Sequence, residues 1–438
     1  MSYKTYENYK DSGVEWIGTI PEQWEVFKLK HVINEFVSGG TPKTSNDSFW
    51  DENNQGIPWV AIGDMSNKDF VDYTSKSLTI DGVANKNLRI LPKGTLIYSI
   101  FASLGNVSIL NMPATTNQAI LGMLISKKID KFYLKYYLEA LREHIIVFSN
   151  ANTQDNLNST TVKNIDIALP TDVKEQEKIA KYLDKKTSEI DENIAKNKEL
   201  ISLLEEKKTA LINQAVTKGL NPNVPMKDSG IEWIGEIPEH WVIKKLKYCV
   251  DLNSSSLSEN TDDYYEFDYV DISSVSLEKG IEKYEHMYFK DSPSRARRIV
   301  KKDDIIVSTV RTYLKAIAVI PDKKDVIVST GFAVLTPRNI NSSFLAYLTK
   351  SNYFVNLVSA HSVGVSYPAI NSSVLVNLKI VIPPTEEQEK CSDYLEKEIS
   401  KIDEIIEKNN EEIELLEEYK TSLIHHVVTG KIDVRNVI

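Results

Sequence analysis

Apolar residues recur at alternating steps of four and three along two long stretches of the chain, about residues 171–217 and 385–429. Each seam continues for more than four heptads without glycine or proline, which is typical of long helices that pack through one apolar seam. The seam positions are Leu183, Thr187, Ile190, Ile194, Asn197, Ile201, Leu204, Lys208, Leu211 and Ala215, and then Leu395, Ile399, Ile402, Ile406, Asn409, Ile413, Leu416, Lys420, Leu423 and Val427. The pattern therefore predicts two long helices that pair with each other.

Each seam has one asparagine near its middle, Asn197 and Asn409. Antiparallel pairing of the helices would bring the two asparagines together, where a polar pair lowers stability but fixes the register of the coiled coil. Alternatively, each asparagine contacts solvent at a loosely packed layer. We favour antiparallel pairing and expect replacement of both residues with isoleucine to raise stability and loosen the register.

The two helices also belong to an internal repeat. Residues 175–217 match residues 387–429 at 26 of 43 positions, and residues 10–30 match residues 227–247 at 15 of 21 positions. The shorter block keeps two tryptophans in both copies, Trp16 and Trp24 and then Trp233 and Trp241. Tryptophans can stack on nucleic-acid bases, but packing is favoured because both copies keep them while the inserts diverge. The chain is thus two copies of one frame with two different inserts.

The inserts are predicted to be mixed α/β. Short runs of β-branched and aromatic residues separated by turn residues indicate strands, and longer amphipathic patches indicate helices. The strand runs are 57–62, 94–100, 269–272, 304–310 and 325–329, and the helical patches are 132–146 and 343–358. The predicted organisation is a first α/β domain at 1–170, a helix at 171–217, a second α/β domain at 218–384, a helix at 385–430 and a tail at 431–438.

The distribution of charged residues along the chain changes what the net charge implies about a nucleic-acid partner. The net charge of −10 argues against a nucleic-acid partner, but residues 386–431 alone contain 14 acidic and 6 basic residues. Residues 25–160 contain 13 of each sign, and residues 242–376 contain 17 basic and 15 acidic residues, which leaves room for local basic surfaces. No apolar run is long enough for a membrane span, and Cys249 and Cys391 fit no metal spacing. We expect a cytoplasmic protein without a membrane partner.

The sequence contains no catalytic motif. The stretch from Ser38 to Thr44 resembles a phosphate-binding loop but lacks its Gly-Lys-Ser/Thr ending, and Pro42 removes a backbone donor. No GxGxxG motif for dinucleotide binding follows a predicted strand. The sequence also has no Asn-Pro-Pro-aromatic or Asp-Pro-Pro-aromatic tetrapeptide, so it shows no active site for adenine amino-methylation. We therefore predict a non-catalytic chain that binds no metal and no cofactor of its own.

Arginine-rich and polar loops are the candidate contacts to DNA. The densest basic stretch is 292–299, and arginine suits phosphates and guanine edges because its planar fork donates two hydrogen bonds at once. A solvated basic turn is the alternative for this stretch. The candidates in the second insert are Arg295, Arg297, Arg298, Arg311, Thr312 and Lys315. The candidates in the first insert are Thr41, Lys43, Thr44, Arg89, Ser103, Asn106, Asn117 and Gln118.

The order of motifs resembles a known family across essentially the whole chain. The motifs are two GxIPExW blocks, the SGGTPKT…IPW…GDM run, the KKDDIIVSTVR run and two helix starts with Glu-Gln-Glu-Lys shortly after proline. Together they resemble the specificity subunit of type I restriction–modification systems. The resemblance depends on the order and duplication of the motifs more than on any one of them.

This resemblance implies two target recognition domains, each an α/β unit that reads one half of a bipartite, asymmetric site in double-stranded DNA. It also implies that the antiparallel helices act as a spacer and dock methyltransferase subunits, and that restriction subunits complete the complex. S-adenosylmethionine, ATP and magnesium would then be bound by partner subunits. The competing hypothesis from another class is a coiled-coil interaction scaffold whose inserts bind proteins.

Overall fold

The computed structural model describes residues 4–101, 103–150, 157–231 and 233–437. The chain divides into two compact units, the first comprising residues 1–197 and 411–438 and the second residues 198–410. The long helices are Val173–Lys218 and Thr385–Val428. Each long helix therefore contributes about half of its length to each unit. The domain boundaries given above stay a prediction, because the compact units divide the helices differently.

Within the second unit, the two long helices run antiparallel. Lys208 Nζ lies 2.6 Å from a carboxylate oxygen of Asp403. Further along the first helix, the carbonyl oxygen of Ala215 accepts a hydrogen bond from Cys391 Sγ at 3.5 Å, so advancing along one helix means going back along the other. In the first unit, Lys420 pairs with Asp191 at 2.7 Å. The predicted mixed α/β fold with two antiparallel long helices is confirmed.

The two seam asparagines have different surroundings. Asn409 Nδ2 donates to the carbonyl oxygen of Ile405 on its own helix at 2.7 Å. Asn197 Nδ2 is buried and has no hydrogen-bond partner among the described residues. The residues fall in different compact units, so their pairing across the seam stays a prediction.

We predict that Asn197→Ile raises the free energy of unfolding by about 1–3 kcal/mol, because a buried amide without a partner carries a desolvation penalty of that order. Asn409→Ile is the matched control and should gain less, because its amide already has a partner. Urea denaturation followed by circular dichroism measures both variants. A lower unfolding midpoint for Asn197→Ile would contradict the prediction.

In the first unit, the repeated block ties the ends of both long helices together through a tryptophan. Trp24 is fully buried, and its Nε1 donates to Glu175 in the first turn of the first long helix at 3.0 Å. Gly430, just after the second long helix, packs so closely that a Cβ there would lie 2.4 Å from Pro21 and 3.2 Å from the Trp24 ring. Glycine is therefore required at this position, where φ is also +74°.

The second unit repeats this arrangement with the helices exchanged. Trp241 is fully buried, and its Nε1 donates to Glu387 in the first turn of the second long helix at 2.9 Å. At Gly219, just after the first long helix, a Cβ would lie 3.0 Å from the Trp241 ring. The packing role predicted for the repeated tryptophans agrees with this burial, whereas Trp233 is 44% exposed.

The α/β domain of the first unit is built on two sheets. The five-stranded sheet has the order Ile33–Ser38, Ile120–Ile125, Leu96–Ser99, Val107–Leu110 and Phe70–Val71. The four-stranded sheet has the order Thr115–Thr116, Ile57–Val60, Lys76–Leu78 and Trp50–Asp51. The two-stranded pairs are Tyr9–Asp11 with Thr19–Pro21 and Trp24–Lys28 with Asp166–Pro170, and the shorter helices are Ile62–Met65, Ile80–Asn85, Lys131–Asn150 and Ser159–Lys163.

The second unit has the same central topology. One four-stranded sheet has the order Val250–Leu252, Phe332–Pro337, Ile305–Ser308 and Ile317–Val319, and the other has the order Glu285–Tyr288, Glu266–Val270, Val326–Ser329 and Ala296–Ile299. The two-stranded pairs are Met226–Asp228 with Glu236–Pro238, Val242–Lys245 with Lys379–Ile382 and Val275–Ser276 with Gly280–Ile281. The shorter helices are Ser342–Lys350, Asn352–Ala360 and Ser372–Leu375.

The predicted helical patch at 343–358 is two helices rather than one. The first ends at Lys350, and Ser351 caps the second by accepting a hydrogen bond from the backbone N–H of Phe354. Serine at this position competes with helix continuation because its side chain satisfies a free N–H at a helix start. Across the described part of the chain, no helix combines the length and apolar character needed to cross a membrane.

Candidate nucleic-acid interface

In the second unit, several loops meet at one edge of the two sheets. Asp271 follows the strand Glu266–Val270 and Thr330 follows Val326–Ser329, and these strands are parallel neighbours, so both residues lie at the same edge. Arg295 joins them, since its carbonyl oxygen accepts a hydrogen bond from Thr330 N at 2.7 Å. We call this edge the second loop face, formed by Asp271, Arg295, Thr330, residues 309–315 and residues 361–369.

Residues 309–315 and 361–369 hold each other in place. Thr312 N donates to the carbonyl oxygen of Pro368 at 3.2 Å, and Thr312 Oγ1 donates to Ser362 Oγ at 2.8 Å. The guanidinium of Arg311 lies over the ring of Tyr367 at 5.3 Å. Tyr313 and Tyr367 are themselves 55% and 67% exposed. The loops thus offer two accessible aromatic rings beside a cation, a combination suited to bases and phosphates.

Arg295 is the most constrained cation of the second loop face. Its Nε and Nη2 both lie 2.9 Å from Asp271 Oδ2, and Nε lies 3.2 Å from Tyr269 Oη. Tyr269 Oη donates to the same carboxylate oxygen at 2.9 Å. Burial alone would raise the pKa of Asp271, but hydrogen bonds from Tyr269 and Ser273 and the charge of Arg295 lower that pKa overall. Asp271 is therefore ionised and holds the arginine at neutral pH.

The neighbouring arginines have other surroundings. Arg297 lies over the ring of Phe289 at 4.7 Å and donates from Nη1 to the carbonyl oxygen of Ala296 at 2.9 Å. Arg298 is half-buried, and its Nε has no hydrogen-bond partner among the described residues. Lys315 is exposed, whereas Thr312 is only 5% exposed and supports the loop. A contact between Thr312 and DNA stays a prediction.

In the first unit, the corresponding edge brings together the loops at 39–44 and 117–118. Gly40 N donates to the carbonyl oxygen of Thr116 at 2.8 Å, and Thr41 Oγ1 donates to Gln118 Oε1. A Cβ at Gly39 would lie 2.0 Å from the carbonyl oxygen of Asn117, so only glycine allows this close approach. We call this edge the first loop face, formed by residues 39–44 and 117–118.

A tryptophan pair supports the first loop face. Trp59 Nε1 donates to the carbonyl oxygen of Gly40 at 2.9 Å, and Trp50 Nε1 donates to that of Lys43 at 3.4 Å. The two rings meet edge to face at 5.0 Å, and Lys76 Nζ lies 5.3 Å from the Trp50 ring. The side chains of Lys43 and Thr44 remain exposed at the tip of this loop, available to a partner.

The remaining candidates of the first unit are Arg89, Ser103, Asn106 and Asn117. The loop with Ser103 and Asn106 begins beside the first loop face, because Ile100 N donates to the carbonyl oxygen of Ala119 at 2.8 Å. Arg89 is exposed but pairs with Glu35. Asn106 is 7% exposed, and its backbone N–H donates to Ser99 Oγ at 2.9 Å. A contact between Asn106 and DNA stays a prediction. Ser103 adopts φ +60° and accepts a hydrogen bond from Ser99 through its carbonyl oxygen at 2.6 Å. Asn117 accepts from the N–H of Ala119 at 3.0 Å, which shapes the turn of the first loop face.

Sequence reasoning missed Tyr269 and Asp271, which orient Arg295, and the exposed rings of Tyr313 and Tyr367. The tyrosines gave a usable signal, because Tyr367 lies in a stretch of Gly, Ser and Pro residues where a core aromatic is not expected. Asp271 gave no signal in the sequence, because it is 24 residues from Arg295 and their contact depends on sheet pairing.

Comparison with known proteins defines the class. The model of the type I restriction modification DNA specificity domain matches residues 21–202 and 238–415. The chain belongs to this family, and DNA target recognition is the function that membership implies.

Individual relatives match along nearly their whole length. The MjaVIII type I restriction enzyme specificity subunit of Methanocaldococcus jannaschii is 27% identical, over 100% of this chain and 99% of the relative. The MjaIX specificity subunit of the same organism is 26% identical, over 96% of both. Among solved structures, the HsdS subunit of Thermoanaerobacter tengcongensis has a TM-score of 0.56 at 15% identity, over 94% of this chain and 98% of that one. A chain from a structure of a type I restriction–modification assembly reaches a TM-score of 0.70 at 14% identity, over 93% and 98%.

Proposed function

We propose that this chain recognises a bipartite, asymmetric site in double-stranded DNA, with each α/β domain reading one half. It acts without catalysis of its own and directs methyltransferase and restriction subunits to the site. S-adenosylmethionine, ATP and magnesium belong to those partners.

The main support for the proposal is that the two units share one topology but have different loop faces. Both units share a four-strand order in one sheet and a parallel strand pair in the other, whose ends lead into the loop faces. The first loop face has the glycine-rich loop at 39–44 supported by two tryptophans, whereas the second has a held arginine and two exposed tyrosines. Equivalent scaffolds with unlike loops are suited to reading two unlike half-sites.

Exposed apolar side chains on the long helices support the docking of partner subunits. Leu200, Leu203 and Ile405 in the second unit are 41%, 54% and 43% exposed, and Leu415 in the first unit is 65% exposed. Apolar side chains at such positions lie outside the helix seam and are suited to an interface with another protein.

Selection from a pool of random DNA duplexes tests the recognition function. The full chain, with its methyltransferase partner where one is needed for solubility, should enrich two different short motifs separated by a fixed gap of unspecified sequence. Recovery of one contiguous motif, or of none, would contradict the proposal.

Salt dependence provides a second prediction, centred on the second loop face. Arg311→Ala with Lys315→Ala should weaken duplex binding by a similar factor for all sequences and flatten the plot of log affinity against log salt by up to about two units, because each phosphate contact releases roughly one counterion. Lys302→Ala is the matched control, since Lys302 precedes the strand Ile305–Ser308 at its other end. Salt-independent binding by the unaltered chain would favour the protein-binding scaffold instead.

A further inference from the structure

Arg295 is oriented by its neighbours rather than free to move. Asp271 Oδ2 occupies the edge of the guanidinium formed by Nε and Nη2, with both distances 2.9 Å. Asp271 is in turn fixed by Tyr269 Oη at 2.9 Å and by Ser273 Oγ at 3.3 Å. A long side chain that is held before binding loses less conformational entropy when it binds.

The other edge of the guanidinium faces solvent. The described residues give Nη1 no hydrogen-bond partner, and the Arg295 side chain is 59% exposed. The edge formed by Nη1 and Nη2 is therefore available as a fork of two parallel donors. Such a fork matches the O6 and N7 acceptors that guanine presents in the major groove.

The charge around Arg295 favours a neutral base edge over a phosphate. Asp271 already balances the charge of the arginine. The adjoining cleft of about 490 Å³ is also lined by three further carboxylates, Glu282, Glu285 and Asp291, against one lysine, Lys283. These carboxylates repel a phosphate group, whereas guanine O6 and N7 are uncharged. The carboxylates can also accept hydrogen bonds from the amino group of cytosine, the base paired with guanine.

Arg311 differs in each of these respects. Its side chain lies over the Tyr367 ring, and among the described residues no carboxylate pairs with it. Arg311 is therefore suited to the phosphate backbone, and Arg295 to a base.

We propose that Arg295 reads one guanine in the half-site recognised by the second unit, with Asp271 as its positioning residue. This inference rests on the proposed function and adds a base identity to it. The half-site of the second unit therefore contains a guanine at one position, and that preference depends on the two-donor fork and not on positive charge alone.

The test compares duplex selection by the unaltered full chain with selection by Arg295→Ala, Arg295→Lys and Asp271→Asn. Arg338→Ala is the matched control, because Arg338 is also an exposed arginine paired with an aspartate, Asp251, at 2.9 Å, but lies after the strand Phe332–Pro337 at its far end. Thermal melting followed by circular dichroism establishes that each variant is folded. A second measurement uses the selected duplex with 7-deazaguanine, which lacks the N7 acceptor, at the guanine in question.

Arg295→Ala should lose the guanine preference at one position and keep every other preference. Arg295→Lys should weaken that preference, because an ammonium donates to guanine without the planar fork. Asp271→Asn should also weaken it, and Arg338→Ala should keep it. The 7-deazaguanine duplex should bind the unaltered chain about 5-fold more weakly, the lower end of the range for one bidentate contact, because O6 is still present as an acceptor. The same replacement should not weaken binding further in Arg295→Ala. Two results would overturn the assignment of Arg295 to a guanine without affecting the proposed function. They are an unchanged guanine preference in Arg295→Ala and a uniform loss of affinity for all sequences in that variant. If the unaltered chain enriches no motif, the proposed function fails, and this inference fails with it.

Discussion

Replacing Trp241 with alanine is expected to lower the free energy of unfolding of the second unit by about 3–5 kcal/mol, the range for removing a large aromatic side chain from a packed core. The ring is fully buried between the start of the second long helix and Gly219. The variant would lose this packing and leave Glu387 without its buried donor. Because native domains are stable by only about 5–15 kcal/mol, much of the unit's stability depends on this one side chain.

Urea denaturation followed by far-ultraviolet circular dichroism measures the loss without relying on tryptophan fluorescence. Trp233→Ala is the matched control from the same repeated block, and its cost should stay well below that of Trp241→Ala because Trp233 is 44% exposed. Trp241→Phe separates packing from hydrogen bonding, since it keeps an aromatic ring but removes the donor to Glu387. Equal unfolding midpoints for Trp241→Ala and the unaltered chain would show that the repeated block does not stabilise the contact between the ends of the long helices.

The long helices and their pairing could be predicted from sequence because a heptad pattern is local and long. The seam runs from Leu183 to Ala215 in the first helix and from Leu395 to Val427 in the second, so a few polar exceptions such as Asn197 did not obscure it. Strands were also recognisable where β-branched residues cluster, as at Ile305–Ser308. Their order in the sheets was not, because sheet pairing joins residues far apart in sequence and no local pattern specifies the partner.

The candidate site was predicted less well, for a related reason. The basic stretch at 292–299 was identified by the density of arginines, but density does not determine exposure. Arg297 and Arg298 belong to the strand Ala296–Ile299 and are half-buried, while Arg295 precedes that strand and stays accessible. The feature that distinguishes Arg295 is its contact with Asp271, which forms only after the two strands have joined one sheet.

The features that could be predicted from sequence lie in the repeated segments, and those that could not lie in the divergent inserts. Trp24 and Trp241, Glu175 and Glu387 are kept in both copies, and each copy uses them for the same contact between the ends of the long helices. The loop faces fall where the repeat is lost. Sequence comparison of the two halves therefore separates structural from functional residues, although it does not indicate which loop residues contact DNA.

Insertion of one heptad into both long helices, between residues 197 and 198 and between residues 410 and 411, is expected to abolish recognition of the original DNA site and to create recognition of a site with a longer gap. Seven residues lengthen a helix by about 10.5 Å, which corresponds to roughly three base pairs at about 3.4 Å each. A whole heptad keeps the apolar seam in phase, so the paired helices should still form. Both half-site motifs should be unchanged, because the loop faces are untouched.

Duplex selection with the doubly inserted chain measures the new gap directly. A heptad inserted into one helix only is the control, since it leaves the seven inserted residues without a matching segment in the other helix and should reduce stability and binding without giving a new fixed gap. The same half-sites at the original gap from the doubly inserted chain would show that the helices do not set the spacing. New half-site bases at any gap would instead show that the helices influence the loop faces themselves. The expected result, unchanged half-sites with only the gap altered, would separate the spacing function of the repeated frame from the reading function of the divergent loops.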